Sequence, residues 1–433
     1  MTKKVGVAIL GLGVVGGGAY QTLVEHHDFY MQTQNVDITV EAVLVRNKEK
    51  AIEKGVPKNI LTDNIAEVIA HPNVDIVIET IGGVGVAKDY VLAALREGKT
   101  VVTANKELIC KYSHELERVA KRTGCGLYYE ASCVGGVPII RTLLDGVQAN
   151  RVQEMMGIIN GTTNYILTKM SQEGAEYADA LKEAQRLGFA EADPTSDVEG
   201  FDALYKLSIL SSLAFHTKVQ QTKIFREGIS NINAKDIAYG KLLGYTLKLL
   251  AIGKSTERGL EVRVHPTFVP DAHPLASVSD SFNAVHLKGD AVGNIMLYGR
   301  GAGALPTASA VVSDVIYAAT HSEIKYSTFK NTAAADGSVK FVSDFETAHY
   351  VRLAVDDEAG TLATVSGIFG KCGISLVAVS QITQKKKPDE EGKMRVPLVI
   401  ITHKTRESNF AKAVAKINAS GIGRVQASIR VER

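Results

Sequence analysis

The sequence predicts an α/β fold whose leading part is a parallel, doubly wound sheet, and three observations carry that expectation. A short apolar strand at 5–10 runs directly into a glycine-rich turn and a helix. Strand and helix patterns then alternate to about residue 130, and such alternation implies parallel strands covered on both faces. From about residue 347 a second series (strand, helix, strand, strand, helix, strand) closes the chain.

The turn reads GLGVVGGGAYQTLVE, with Gly11, Gly13 and Gly16 in GxGxxG spacing. One glycine permits the tight turn, one lets a pyrophosphate approach the backbone, and one brings helix against strand. The helix is expected over about 14–26, so Val14 and Val15 stand at the N-terminus that faces the phosphates. With a strand before it and a helix after, this is a Rossmann-like nucleotide-binding arrangement. Further strands are expected at 38–45, 75–79 and 100–103, with a helix at 84–97 stopped by Gly98. At the end of the second strand stand Arg46, Asn47 and Lys48 rather than an acid. A cation there suits a 2′-phosphate, which favours NADP(H) over NAD(H). The plainer alternative makes Arg46 a solvated turn residue, with both cofactors used. Thr80, before Gly82 and Gly83, marks the end of another strand. Lys106, in TANKE at 103–107, lies at the crevice rim and opens a helix, where a cation is electrostatically misplaced; that misfit points to function.

Composition narrows the class. The chain has 433 residues, 45% hydrophobic and 22% charged, enough for roughly two to four domains. The formal net charge is +2, and the one basic run is Lys385, Lys386 and Lys387, which argues against nucleic acid and membrane surfaces as partners. Cys110, Cys125, Cys133 and Cys372 form no CxxC pair, as expected for reduced thiols in a cytoplasm. Residues 5–24 carry no charge and mimic a signal peptide or membrane span. Six of those twenty are glycine, each costing a helix about 1 kcal/mol relative to alanine, so a buried strand and turn fit better than a targeting segment.

In the middle region, YYEASCVGGVPIIRTLLDGV (128–147) reads as strand, glycine turn, and a helix with Pro138 in its first turn. GIINGTTNYILTKM (157–170) repeats the pattern, with Thr162 or Thr163 capping a helix whose N-terminus is suited to a carboxylate. A charged helix over about 175–187 ends at Gly188. LGFAEADPTSDVEGFDALYKLSIL (187–210) then crowds its acids ahead of an apolar helix at 200–214. A calcium loop would use Asp193, Thr195 and Asp197, but Val198 replaces the glycine of position six and Leu204 the acid of position twelve. Acids before a helix start are also favourable in themselves. The third reading is a site: Asp202 and Lys206 are i,i+4 on one helix face, and Glu191 lies on the loop leading in. A lysine partly buried among carboxylates can exchange protons.

At these residues the chain resembles the homoserine dehydrogenase family. The resemblance runs through GLGVVGGG, TANKE, EASCVGGVPI, NGTTNYI, GFAEADPTSDVEGFDALYK and RGAGALPTASAVVSDV. It implies NAD(P)H-dependent, reversible reduction of L-aspartate 4-semialdehyde to L-homoserine on the route to threonine, methionine and isoleucine. It implies Lys206 as proton donor and acceptor and Lys106 as a second catalytic or orienting lysine. It further implies Glu191 and Asp202 binding the substrate's amino group, with Asp197 in support, Gly161 and Thr162 along the substrate pocket, and Gly303 near the nicotinamide. A sodium ion is implied at Glu130 and the carbonyls of Cys133, Gly135 and Val137. The family often has a small residue and arginine before the catalytic lysine; here Ala203, Leu204 and Tyr205 precede Lys206, with the register of acids and lysine kept.

The implied organisation is a nucleotide-binding domain at 1–130 and an α+β substrate and dimerisation domain with a mixed sheet at 131–305. A helix at 306–320 returns to the first domain, and a linker follows at 328–346. The βαββαβ series at 347–433 resembles an ACT domain, a ferredoxin-like amino-acid-sensing and dimerising unit, through the aspartates before Gly360 and GISL. Ala359 replaces the usual proline, and Pro397 falls inside an expected strand. Threonine is the implied effector and a homodimer or homotetramer the implied assembly. Two rivals are a cysteine-dependent semialdehyde dehydrogenase with Cys133 as nucleophile and a non-catalytic sensor of amino acids and nucleotides.

Overall fold

The computed structural model describes residues 2–321, 339–381 and 395–432. Most of the expected linker, and the charged turn around Lys385, lie outside these residues.

Six parallel strands form the first sheet: β1 (Lys3–Leu10), β2 (Val36–Leu44), β3 (Leu61–Thr62), β4 (Ile76–Glu79), β5 (Thr100–Thr103) and β6 (Leu127–Tyr128). Their order is β3-β2-β1-β4-β5-β6, so direction of winding reverses between β1 and β4 and opens a crevice at their carboxyl ends. Val7 to Leu10 are fully buried because helices cover both faces. The two-residue strands β3 and β6 were too short to read from periodicity. Helix Val14–Glu25 begins one residue after Gly13, and Gly16 lets it close on the turn: a Cβ there would lie 2.0 Å from the Gly11 carbonyl oxygen. Gly18 similarly admits helix Ala304–Thr320, whose Ala304 carbonyl would be 2.8 Å from a Cβ at Gly18.

The second sheet has eleven strands among the described residues, nine of them on its main path. Its first members are β7 (Val152–Ile158), β9 (Tyr245–Thr256), β10 (Gly259–Pro270), β11 (Phe282–Gly289) and β12 (Gly293–Arg300), with a short β8 (Phe225–Arg226) beside β10. Helices Gly161–Glu173 and Phe201–Ala214 pack on it. Pro138 stands just before its helix rather than inside the first turn; only Ile139–Arg141 is α-helical, and Thr142–Gly146 widens into a π turn.

The closing series contributes β13 (Glu346–Asp356), β14 (Leu376–Gln381), β15 (Arg395–Thr402), a short β16 (Thr405–Arg406) and β17 (Gly423–Val431), with helices Thr361–Lys371 and Glu407–Ala419. The strand order is β17-β13-β15-β14, and β17 pairs with β10 in parallel through Thr267–Arg430 and Phe268–Val431. The C-terminal unit therefore continues the second sheet. A buried ion cluster holds the seam: Arg263 binds Glu261 and Glu432, and Lys254 Nζ lies 2.6 Å from Glu432 and 3.0 Å from Glu154. Burial opposes charge on Glu432, yet Arg263 and Lys254 outweigh it and hold its pKa at about 2. Pro397 does fall inside β15, opposite Ala354 of β13. Among the described residues no helix is long and apolar enough to cross a membrane.

Candidate active site

Between the crevice and the second sheet lies a cleft of about 660 Å³. Val14 and Val15 reach it from the first helix, Lys106 from the rim of β5, and Gly161 and Thr162 from the end of β7. Glu191, Asp197, Asp202, Lys206, Gly135 and Gly303 complete the set of expected residues in it. A second cavity of about 540 Å³ is lined by Gly11, Gly13, Arg46 and Thr80. Gly16 touches neither and acts through packing.

The centre of the cleft is one carboxylate shared by two lysines. Gly200, with φ 79°, turns the chain into helix Phe201–Ala214, which places Asp202 in the first turn and Lys206 one turn later. Lys206 Nζ donates to Asp202 Oδ2 at 2.7 Å and to the Ile159 carbonyl at 2.8 Å. Lys106 Nζ is 3.0 Å from Asp202 Oδ1. It is presented by helix Lys106–Thr123, which Asn105 caps by accepting from Leu108 N at 3.1 Å. Asn105 Nδ2 also donates to Gly83 O at 2.6 Å, and Thr103 Oγ1 to buried Glu79 at 2.6 Å, so the rim is rigidly tied. Burial pushes the Asp202 carboxyl up, but the two ammonium groups prevail and hold it far below the usual carboxylate range. The same charge raises the pKa of Lys106. Burial, then the Asp202 charge, lifts the carboxyl of Asp197.

Asn160 organises the acids and was not among the expected residues. Its Nδ2 donates to Asp197 Oδ1 at 2.8 Å and Asp202 Oδ2 at 2.9 Å, while its Oδ1 accepts from Thr163 N at 2.9 Å. Asn160, not Thr162 or Thr163, is thus the cap of helix Gly161–Glu173. Thr162 Oγ1 instead donates to Phe189 O at 2.7 Å and pins the acidic loop to the helix. An asparagine directly before Gly-Thr-Thr was the legible signal.

Other groups take supporting places. Thr80 Oγ1 donates to the carbonyls of Leu10 and Gly11, at 3.1 and 2.9 Å, and fixes the glycine turn. Arg46 is exposed in the nucleotide cavity beside Lys50 and Lys54, two further cations that periodicity did not single out. Cys133 is fully buried, and burial pushes its thiol up to about 12, so it supplies no thiolate nucleophile. The Glu130 carboxylate accepts from the backbone N–H groups of Ile140 and Arg141 at 2.8 and 2.7 Å; burial, and then Asp314, raise its pKa to about 8. Val134 and Gly135 are both left-handed, φ 58° and 49°, an arrangement costly for buried valine. Among the described residues no backbone N–H is donated to the carbonyls of Cys133 or Gly135.

Comparison with known proteins agrees with this chemistry. Residues 11–130 match the family model described as "Homoserine dehydrogenase, NAD binding domain", and residues 138–316 the model described as "Homoserine dehydrogenase". The homoserine dehydrogenase of Bacillus subtilis is 43% identical over 99% of both chains. The crystal structure of a homoserine dehydrogenase from Thiobacillus denitrificans superposes with a TM-score of 0.91, at 41% identity, covering 99% of this chain and 98% of that one. A hyperthermophilic archaeal homoserine dehydrogenase in complex with NADPH is similar over 73% of this chain and 97% of its own, with 27% identity and a TM-score of 0.61. A glycine turn built for a nicotinamide dinucleotide, a lysine–aspartate cluster at its end and this likeness along the whole chain lead to one conclusion: the chain belongs to the homoserine dehydrogenase family, an oxidoreductase family with a nicotinamide cofactor.

Proposed function

We propose that Lys206 is the proton donor and acceptor in the reversible reduction of L-aspartate 4-semialdehyde to L-homoserine. The observation that carries this reading is the pair of lysines on the two oxygens of buried Asp202, in a cleft that Val14 and Val15, directly after the glycine turn, also line. The bound nicotinamide supplies or accepts the hydride. In reduction, Lys206 gives a proton to the substrate's carbonyl oxygen, and Lys106 orients that oxygen from the opposite side of Asp202. Asp202 itself is neutralised by the lysines, which leaves Glu191 and Asp197 to hold the substrate ammonium. Gly161 and Thr162 present backbone N–H groups at a helix N-terminus.

Arg46, with Lys50 and Lys54 in the same cavity, supports NADP(H) as the preferred cofactor. Arg46→Asp is expected to move the ratio of kcat/KM for NADPH over NADH toward NADH by roughly tenfold or more, the worth of one charge-assisted contact. An unchanged ratio in steady-state assays would defeat the phosphate assignment.

Two buried carbonyls that receive no backbone N–H among the described residues, beside a strained valine, suit a hard monovalent cation, so we assign sodium to the carbonyls of Cys133 and Gly135, with Val137 and the main chain of Glu130 adjoining. Its contribution would be to brace the loop at the base of the cleft. The domain division at 130, 305 and 347, a homo-oligomeric cytoplasmic enzyme, and an ACT regulatory unit at 347–433 complete the reading; the β17-β13-β15-β14 order supports the last. A spectrophotometric assay with L-homoserine and each cofactor, with and without threonine and with sodium exchanged for a large cation, tests the set. Homoserine-dependent reduction of NADP+ or NAD+ is expected, with threonine lowering and sodium raising the rate. No homoserine-dependent rate would sink the function, and no response to either additive would sink that additive's assignment.

A further inference from the structure

The charges in the cleft do not all find partners within the protein. Lys106 and Lys206 share Asp202, at 3.0 and 2.7 Å. Arg300 lines the same cleft, is exposed, and pairs with no carboxylate among the described residues. Its guanidinium carbon lies 5.3 Å from the Phe282 ring centroid, and Phe282 stacks in turn on Tyr298 at 5.1 Å. The stack braces the arginine while its donors stay free.

Close backbone contacts show what Arg300 adjoins. A Cβ on Gly161 would lie 2.8 Å from the Ser281 carbonyl oxygen, and one on Gly301 would lie 2.0 Å from Asn283 Oδ1. The first residue of the 13-residue helix Gly161–Glu173, the 281–283 segment and Gly301 therefore meet at one corner. Arg300 is the neighbour of that corner along the chain. An unpaired arginine and the positive end of a helix thus line the same cleft, and both favour a carboxylate. The diphosphate of a dinucleotide has its own place at helix Val14–Glu25.

We propose that Arg300 recognises the α-carboxylate of the substrate and makes the site selective for a 2-amino acid over an amino alcohol or a simple aldehyde. The inference rests on the reading of the cleft given above as the homoserine site. With the ammonium at Glu191 and Asp197 and the carboxylate at Arg300, the C4 oxygen is left to face Lys206. Three separated contacts around one tetrahedral carbon also select its L configuration.

The test compares wild-type enzyme with Arg300→Ala and Arg300→Lys. Turnover of L-homoserine is measured, together with competitive inhibition by L-2-aminobutyrate, which keeps the carboxylate, and by 3-amino-1-propanol, which lacks it. Arg300→Ala is expected to raise KM for homoserine and Ki for L-2-aminobutyrate by roughly ten- to a hundredfold, the range for a hydrogen bond to a charged group. The Ki for 3-amino-1-propanol and the Kd for NADPH should stay within about twofold, and Arg300→Lys should recover part of the loss. Equal weakening of both inhibitors, or an unchanged KM, overturns the proposal; weaker NADPH binding with homoserine KM unchanged assigns Arg300 to the cofactor instead. Absence of wild-type homoserine turnover would condemn the reading of the cleft itself, a separate result.

Discussion

Lys206→Ala is expected to lower turnover of homoserine by roughly 10²–10⁴-fold, the usual worth of a positioned general acid and base. The side chain is only 12% exposed and its two hydrogen bonds, to Asp202 and Ile159 O, hold the amine in one place. Water entering the space left by alanine would have neither the position nor the charge to replace it. The Kd for NADPH, read by fluorescence titration, should change little, because the glycine turn and the cavity around Arg46 belong to other elements. Lys206→Met, which keeps the bulk, should be as inactive as alanine. Turnover above about a tenth of wild type in both variants would remove Lys206 from the chemistry.

Asp202→Asn should also cost roughly 10²-fold or more in kcat, by a different route. The amide keeps the shape and can still accept one hydrogen bond, but it no longer balances two ammonium groups. Lys106, whose proton affinity Asp202 raises, would then hold its proton less firmly. Stability changes with a definite sign. The Asp202 carboxyl is depressed in the folded state, so its contribution is present above the unfolded value of about 3.9 and lost as pH falls toward the folded one. Scanning calorimetry at pH 7 should therefore find the variant melting several degrees below wild type, with the gap closing in strong acid. Equal stability at pH 7 together with full activity would contradict the shared-carboxylate arrangement.

What was legible in the sequence was local. The glycine turn announces itself because Gly11, left-handed at φ 92°, and Gly16, closing on its carbonyl, lie within six residues, and Asp202 with Lys206 is visible because one helical turn separates them. The meeting of Lys106 with Asp202 joins segments far apart in the chain, and no periodicity records it; the misplaced cation at a helix start was the trace it left. Asn160 is masked in the sequence by the two threonines that follow it, which are equally able to cap a helix. The fusion of β17 onto β10 rests on two residue pairs and a buried ion cluster, too short a contact to leave a pattern. Glu191 and Asp197 were readable as acids on a loop, but that loop is drawn into the cleft by Thr162 and Asn160, contacts no spacing rule supplies.

The depth of Cys133 bears on durability. Peroxides and mixed disulfides react with thiolates, and a sulfur sealed from solvent with its proton firmly held offers them no foothold. Although this sulfur lies against the main chain of Lys206, at 3.9 Å from its carbonyl oxygen, oxidative stress would pass this part of the cleft wall by. Thiol oxidation would begin instead at the more accessible sulfurs of Cys110 and Cys372.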